Sequence, residues 1–248
     1  VVSDRRIRCH KTTGHGTQDF THTVYNSCNP AFVEWGRRVG VDNMYLYMGK
    51  LGLLAKTGID LSGEAGTIIH KQENVGAVEL ATMSFGQSFQ ITPVQMLRAV
   101  AAIVNGGKLV TPHFGLYTSS SDGSVVNEFA YSTEEEAISL QTSEMMKQIL
   151  EGVVSEGGGT KAYIEGYSIG GKTATSQKLP RGSGKYISSF IGFAPAENPQ
   201  VIAMCLIDEP TGVYYGGTIA APVVKTLYEN ILPYIGIERA VQLEKNDD

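Results

Sequence analysis

Cysteine is scarce: Cys9, Cys28 and Cys205 are too few and too scattered for a disulfide framework, and no Cys/His spacing resembles a zinc site. Cys205 lies in an apolar run, residues 201–207, and reads as a small, partly buried hydrophobe; pairing of Cys9 with Cys28 stays open. Positive charge is scarce too. The net charge is −5, the pI is near 5.6 and no polybasic run occurs. That balance excludes nucleic acid as a partner, because phosphate neutralisation needs clustered Lys and Arg. No stretch of about 18 apolar residues could cross a membrane, and Val-Val-Ser-Asp-Arg-Arg at the start lacks the apolar core of a signal peptide. An Arg-rich beginning and a polar Glu-Lys-Asn-Asp-Asp finish read as ends cut from something longer.

What the chain does have is enough apolar residue, 42%, against 18% charged, to bury the core of one large domain or of a domain with an appended subdomain. Its 29 glycines, well above the roughly 7% average, predict many tight turns. A short helix is expected over residues 19–25. A clearer one opens at Asn29-Pro30 and stops at Gly40, followed by another over 42–51. The Gly-rich stretch to about residue 78 reads as an extended loop. Thr92-Pro93-Val94-Gln95 is a capping box with proline at the first helical position, and its helix stops at Asn105-Gly106-Gly107. Asp122-Gly123 predicts a hairpin over residues 113–129, Glu134-Glu135-Glu136 reads as a solvated first helical turn, and residues 142–154 as a helix. Three β-rich runs, 167–175, 186–193 and 201–208, have short connections that favour an antiparallel meander. A closing helix over 219–234 should bury Val223, Val224, Leu227, Ile231 and Leu232. Helices, then a small sheet, then a helix make an α+β pattern.

Two local patterns could carry chemistry. Ser27-Cys28-Asn29 sets a hydroxyl and a carboxamide two residues apart before a helix, an arrangement whose everyday role is capping. Gly171-Lys172-Thr173-Ala174-Thr175-Ser176 reads as a strand with Lys172 and Ala174 on one face and Thr173 and Thr175 on the other. A strand lysine ordinarily guards an edge against aggregation, and Gly170-Gly171 lacks the spacing of a phosphate loop. The order of the two patterns changes their meaning. Penicillin-binding serine acyl-transferases carry S-x-x-K, S-x-N and K-T-G elements. Ser27-Cys28-Asn29 matches the second, and Lys172-Thr173-Ala174 resembles the third with alanine for glycine. The five histidines are dispersed with no carboxylate partner apparent, and Trp35 and the tyrosines read as packing, so none receives a catalytic role.

Further segments extend the likeness: Arg5-Arg6-Ile7-Arg8-Cys9, Gly14-His15-Gly16, Thr57-Gly58-Ile59-Asp60-Leu61, Phe85-Gly86-Gln87, Ile91-Thr92-Pro93, Asn105-Gly106-Gly107-Lys108 and Phe190-Ile191-Gly192-Phe193-Ala194-Pro195. Nearly the whole chain thereby resembles the transpeptidase domain of monofunctional, class B penicillin-binding proteins of the division and spore-cortex branch. The resemblance implies the penicillin-binding-protein/β-lactamase-like transpeptidase fold, with three strands of its antiparallel sheet in this chain and the N-terminal strands missing. Residues 1–248 would be a partial transpeptidase domain, with 241–248 a polar tail. It implies a D,D-transpeptidase that cross-links peptidoglycan stem peptides ending in D-Ala-D-Ala, binds β-lactams and works at the outer face of the bacterial cytoplasmic membrane, with cell-wall synthesis proteins as further partners. No metal or organic cofactor is implied. By residue, Lys172 would place charge near the nucleophile and substrate carboxylate. Ser27 would relay a proton, Asn29 would hold the substrate amide, and Thr173, Ala174 and Thr175 would line the substrate strand.

Departures from the pattern qualify this expectation. Ala174 and Ser88 stand where glycine is usual, and no serine in residues 1–248 is followed three positions later by lysine. The S-x-x-K element would lie before Val1, so the chain alone is expected not to form an acyl-enzyme and to leave a sheet edge open near residues 201–208. A noncatalytic module that binds stem peptide or a partner protein is the alternative. A β-lactam hydrolase or sensor fits less well, because the long helical insertions resemble the synthetic enzymes.

Overall fold

A computed structural model describes residues 1–180 and 182–240, and the chain divides into two compact units. The first comprises residues 1–9 and 29–144, the second residues 10–28 and 145–248. The expected polar tail, 241–248, lies outside the described residues.

The second unit opens with α1 (Phe20–Tyr25), capped by Asp19, whose side chain accepts from His22 N. In the first unit, α2 (Asn29–Lys50) is two helical pieces joined at Gly40, whose φ of 78° and ψ of 167° are non-helical, close to the expected break. Part of the expected Gly-rich loop is structured. It contains β1 (Ile68–Ile69), paired antiparallel with β2 (Phe89–Gln90), and ends near α3 (Ala77–Met83). Tyr45, Met48 and Met83 form a buried cluster there. These elements are too short to show a period in the sequence.

The capping box is present as read: α4 (Pro93–Val104) starts with Thr92 Oγ1 accepting from Gln95 N and Gln95 Oε1 accepting from Thr92 N. Next come β3 (Lys108–Val110) and the expected hairpin, β4 (Tyr117–Ser119) with β5 (Val125–Glu128). The three glutamates correct an expectation. Residues 134–136 belong to β6 (Thr133–Glu136), which pairs with β3, and the following helix, α5 (Leu140–Ser155), starts later. Pairing with a distant strand overrode the local charge signal.

The meander is the frame of the second unit. β7 (Gly170–Gln177), β8 (Tyr186–Ala194) and β9 (Val201–Asp208) form one antiparallel sheet in the order β7-β8-β9. Lys172 faces Ile191 across one ladder, and Phe190 faces Cys205 across the other. Among the described residues each of β7 and β9 has one sheet neighbour, which agrees with the open edge expected at residues 201–208. Cys205 is partly buried on β9 and packs against the core, and none of the three cysteines forms a disulfide.

The chain then forms α6 (Gly216–Ile219) and α7 (Ala221–Tyr234). The buried face of α7 is Ala221, Val224, Tyr228 and Leu232, whereas Val223 and Leu227 are 51% and 42% exposed, so the expected stripe is rotated. Apolar letters alone missed Tyr228, whose hydroxyl donates to Gly192 O at 2.5 Å and so tolerates full burial. Burial pushes its phenol well above the usual range. Tyr228→Phe removes that hydrogen bond and should cost about 0.5–1.5 kcal/mol. Urea unfolding checks this: a lower midpoint at unchanged slope is the expected result.

Candidate active site

Ser27 sits at the end of α1, where the chain turns out of the helix. Ser27 N donates to Val24 O at 3.1 Å and Cys28 N to Thr23 O at 3.2 Å. The turn puts Ser27 at φ 47°, the left-handed region usually given to glycine at a helix end. A serine there costs about 1–2 kcal/mol, so neighbouring structure must hold it. Asn26 Nδ2 donates to Gln18 Oε1 at 2.6 Å, and Gly158 N donates to Tyr25 O at 3.2 Å. A Cβ on Gly152 would stand 1.8 Å from the Tyr25 hydroxyl, so the ring occupies the space that glycine leaves.

Lys172 enters from β7. The glycines before it serve packing: a Cβ on Gly170 would meet the Phe193 ring at 2.1 Å, and one on Gly171 the Phe190 ring at 2.5 Å. Both rings are fully buried. Lys172 Nζ donates to Ser27 Oγ at 2.9 Å and to Thr173 O at 3.0 Å. Burial pushes its ammonium down to about 8. Next along the strand, Thr175 Oγ1 accepts from Gly216 N at 3.0 Å. That approach requires glycine, since a Cβ on Gly216 would lie 2.3 Å from the Ala174 and Ser189 carbonyls. Tyr186 and Tyr214 stack at 4.0 Å beyond it, and Ser188 Oγ donates to Tyr214 O.

Ser27, Lys172, Thr173 and Thr175 are thus gathered within one unit, with Ala174 and Thr175 exposed on β7. Asn29 belongs to the other unit, where it opens α2 and its Nδ2 lies 3.4 Å from Arg8 O. One ammonium and three hydroxyls form a set suited to a carbonyl or carboxylate rather than to a metal.

Sequence reasoning passed over several neighbours. Tyr25 and Gly152 gave no local signal. His10 lies within electrostatic reach of the site: burial first, then His15, Lys172 and Lys11, lower its pKa. His22, expected to lack a carboxylate partner, has Nδ1 2.8 Å from Asp19 Oδ1.

The family profile described as the penicillin binding protein transpeptidase domain matches residues 1–229. Stage V sporulation protein D of Bacillus subtilis is 42% identical over 250 residues, which is 98% of this chain and 39% of that protein. The probable peptidoglycan D,D-transpeptidase PenA of Neisseria meningitidis is 33% identical over 224 residues, 88% of this chain and 37% of that protein. A crystal structure of penicillin binding protein 3 from Mycobacterium tuberculosis, complexed with ampicillin, superimposes with a TM-score of 0.81 at 26% identity, covering 91% of this chain and 53% of that one. The chain therefore spans well under half the length of these two sequence relatives. With the α+β fold and the antiparallel meander in agreement, the chain belongs to the penicillin-binding protein transpeptidase family, class B.

Proposed function

We propose that this chain supplies the S-x-N and K-T-x elements of a serine acyl-transfer site that cross-links peptidoglycan stem peptides and is acylated by β-lactams. The 2.9 Å hydrogen bond from Lys172 Nζ to Ser27 Oγ carries the reading, because it joins the two motifs around one partly buried cation. The attacking serine belongs to an S-x-x-K element outside residues 1–248, so this chain alone is inactive. The serine attacks the D-Ala-D-Ala carbonyl, releases the terminal D-Ala, and passes the acyl group to an amine on a neighbouring stem.

Lys172 supplies positive charge beside the nucleophile, and Ser27, already accepting from Lys172, keeps its own proton to relay to the leaving amine. Thr175 Oγ1 likewise accepts from Gly216 N and keeps a donor for the substrate carboxylate. The N–H of Thr175 serves as an oxyanion donor, Thr173 lines the strand, and Asn29 holds the substrate amide. The whole of residues 1–248 acts as part of one transpeptidase domain at the outer face of the cytoplasmic membrane, alongside other cell-wall synthesis proteins. Ampicillin in the M. tuberculosis relative supports the β-lactam part of this reading.

Intact-mass spectrometry after incubation with a penicillin tests the proposal on this chain and on the intact gene product. An adduct on the latter alone is expected. No adduct on either favours a noncatalytic stem-peptide or partner-binding module. Ala174 gives a second test: its methyl is exposed on β7, the strand along which this reading runs the substrate backbone. Ala174→Gly should raise the rate of penicillin acylation severalfold while lowering stability by about 0.5–1 kcal/mol. Stopped-flow acylation and thermal melts measure the two effects.

A further inference from the structure

One glycine beside this site is required neither by its backbone nor by its neighbours. Gly157, Gly158 and Gly159 form the turn after α5, and none of the three has a positive φ. A Cβ on Gly157 would stand 2.9 Å from the Tyr25 and Val153 carbonyl oxygens, and one on Gly159 3.1 Å from Val153 O, so neither has room for a side chain. The same holds for Gly217 on α6, whose Cβ would lie 2.5 Å from Gly158 O. Gly158 differs. It is exposed, and a Cβ there would make only ordinary contacts, 3.7 Å from Thr173 Oγ1 and 3.8 Å from Tyr25 O. Alanine at such a position stabilises a fold by restricting the unfolded chain. What the glycine preserves is therefore a space and not a conformation.

That space borders the site, and measured contacts tie it there. Gly158 N donates to Tyr25 O at 3.2 Å, two residues before Ser27, so the turn after α5 and the Ser27 turn are joined. Gly217 packs on the Gly158 carbonyl and also sets the Thr173 side chain. A Cβ on Gly217 would lie 3.1 Å from Thr173 Cγ2, so the methyl rests on that glycine and the hydroxyl lies on the Gly158 side. Thr173 and Thr175 share one face of β7, roughly 7 Å apart along the strand.

We propose, on the acyl-transfer reading above, that Gly158 is a specificity-determining residue for the leaving group: it keeps room beside Thr173 Oγ1 for the side chain of the donor's C-terminal residue. That residue carries the carboxylate which the reading places at Thr175, and Thr173 is the neighbour of Thr175 on the same face. A small side chain, such as the methyl of D-alanine, fills the gap. A side chain at position 158 would occupy it instead.

The test uses the intact gene product and two thioester donors that share one acyl-D-alanyl group. One releases D-2-mercaptopropionate, whose methyl stands for the side chain of a terminal D-alanine; the other releases thioglycolate, with the same carboxylate and no methyl. Thiol release gives kcat/KM for each. In Gly158→Val the ratio of mercaptopropionate to thioglycolate donor should fall at least about tenfold, the lower end of what one such group is worth in a fitted pocket. Gly158→Ala should shift the ratio in the same direction and melt no lower than the parent, which separates the effect from a folding defect. Both variants keep the N–H that binds Tyr25 O. An unchanged ratio overturns the proposal, and so does an equal loss with both donors, which would mark Gly158 as part of the turn only. If the unsubstituted protein releases thiol from neither donor, the acyl-transfer reading itself fails and takes this inference with it.

Discussion

Lys172→Met is expected to lower penicillin acylation of the intact gene product by roughly 10²–10³-fold, the scale of removing one preorganised electrostatic donor, and to abolish a pH dependence of its stability. Folding brings the ammonium from an ordinary value of 10.5 to about 8. Between those two values the unfolded chain holds a proton that the folded chain has lost, so stability rises with pH across that window. Below about 8 the folded protein carries the full cost of a buried charge. The gap from 10.5 to 8 corresponds to about 3 kcal/mol, an upper figure because the side chain keeps some access to solvent. Urea midpoints at pH 7 and pH 10.5 should therefore differ more for the parent than for the variant. Acylation by the parent should also decline above about pH 8, as Lys172 loses its charge. If acylation survives the substitution, Lys172 is an edge-strand lysine and nothing more. Ser27→Ala combined with Lys172→Met should be less harmful than the product of the two single effects, since the side chains are direct partners.

Gly152→Ala is expected to damage the site from a distance. Its Cβ would stand 1.8 Å from the Tyr25 hydroxyl and 2.1 Å from Tyr25 Cζ, so the ring must swing aside, and its backbone leads directly into the turn that holds Ser27. Overpacking of this kind costs about 1–3 kcal/mol, or roughly 3–10 °C in Tm at this chain length. Acylation should fall with it, because Ser27 Oγ shifts away from Lys172. Tyr25→Leu removes the clashing atoms, so Gly152→Ala with Tyr25→Leu should melt higher than Gly152→Ala alone. Additive losses in the pair would show that Tyr25 is not what Gly152 accommodates.

These two predictions differ in how readable they were. Lys172 and Ser27 stand in short motifs whose residue types and order are visible in the sequence, and so does the Thr92–Gln95 capping box, which is wholly local. The meander was legible because β8 and β9 are long runs rich in apolar residues and the three strands are closely connected. Gly152 and Tyr25 carry no such mark, since their relation exists only once α5 meets the end of α1. Residues 134–136 failed for a related reason: three glutamates look like a helix start until β3 supplies a partner. On α7 the hydrophobic letters gave the helix but not its rotation, which Tyr228 and its bond to Gly192 decide. Asp19 and His22, three residues apart at a helix cap, could have been found by asking which histidine an N-cap carboxylate can reach.

β8 is paired along its length, to β7 on one side and β9 on the other, and Phe190, Phe193 and Ala194 on it are fully buried. Among the described residues β7 has one ladder, and it carries Ala174 and Thr175 on its exposed stretch. Backbone amides should therefore exchange with deuterium most slowly on β8, through global unfolding, and faster on the outward-facing amides of β7. The strand bearing Lys172 is then the one with freedom to fluctuate, while the strand behind it keeps the register.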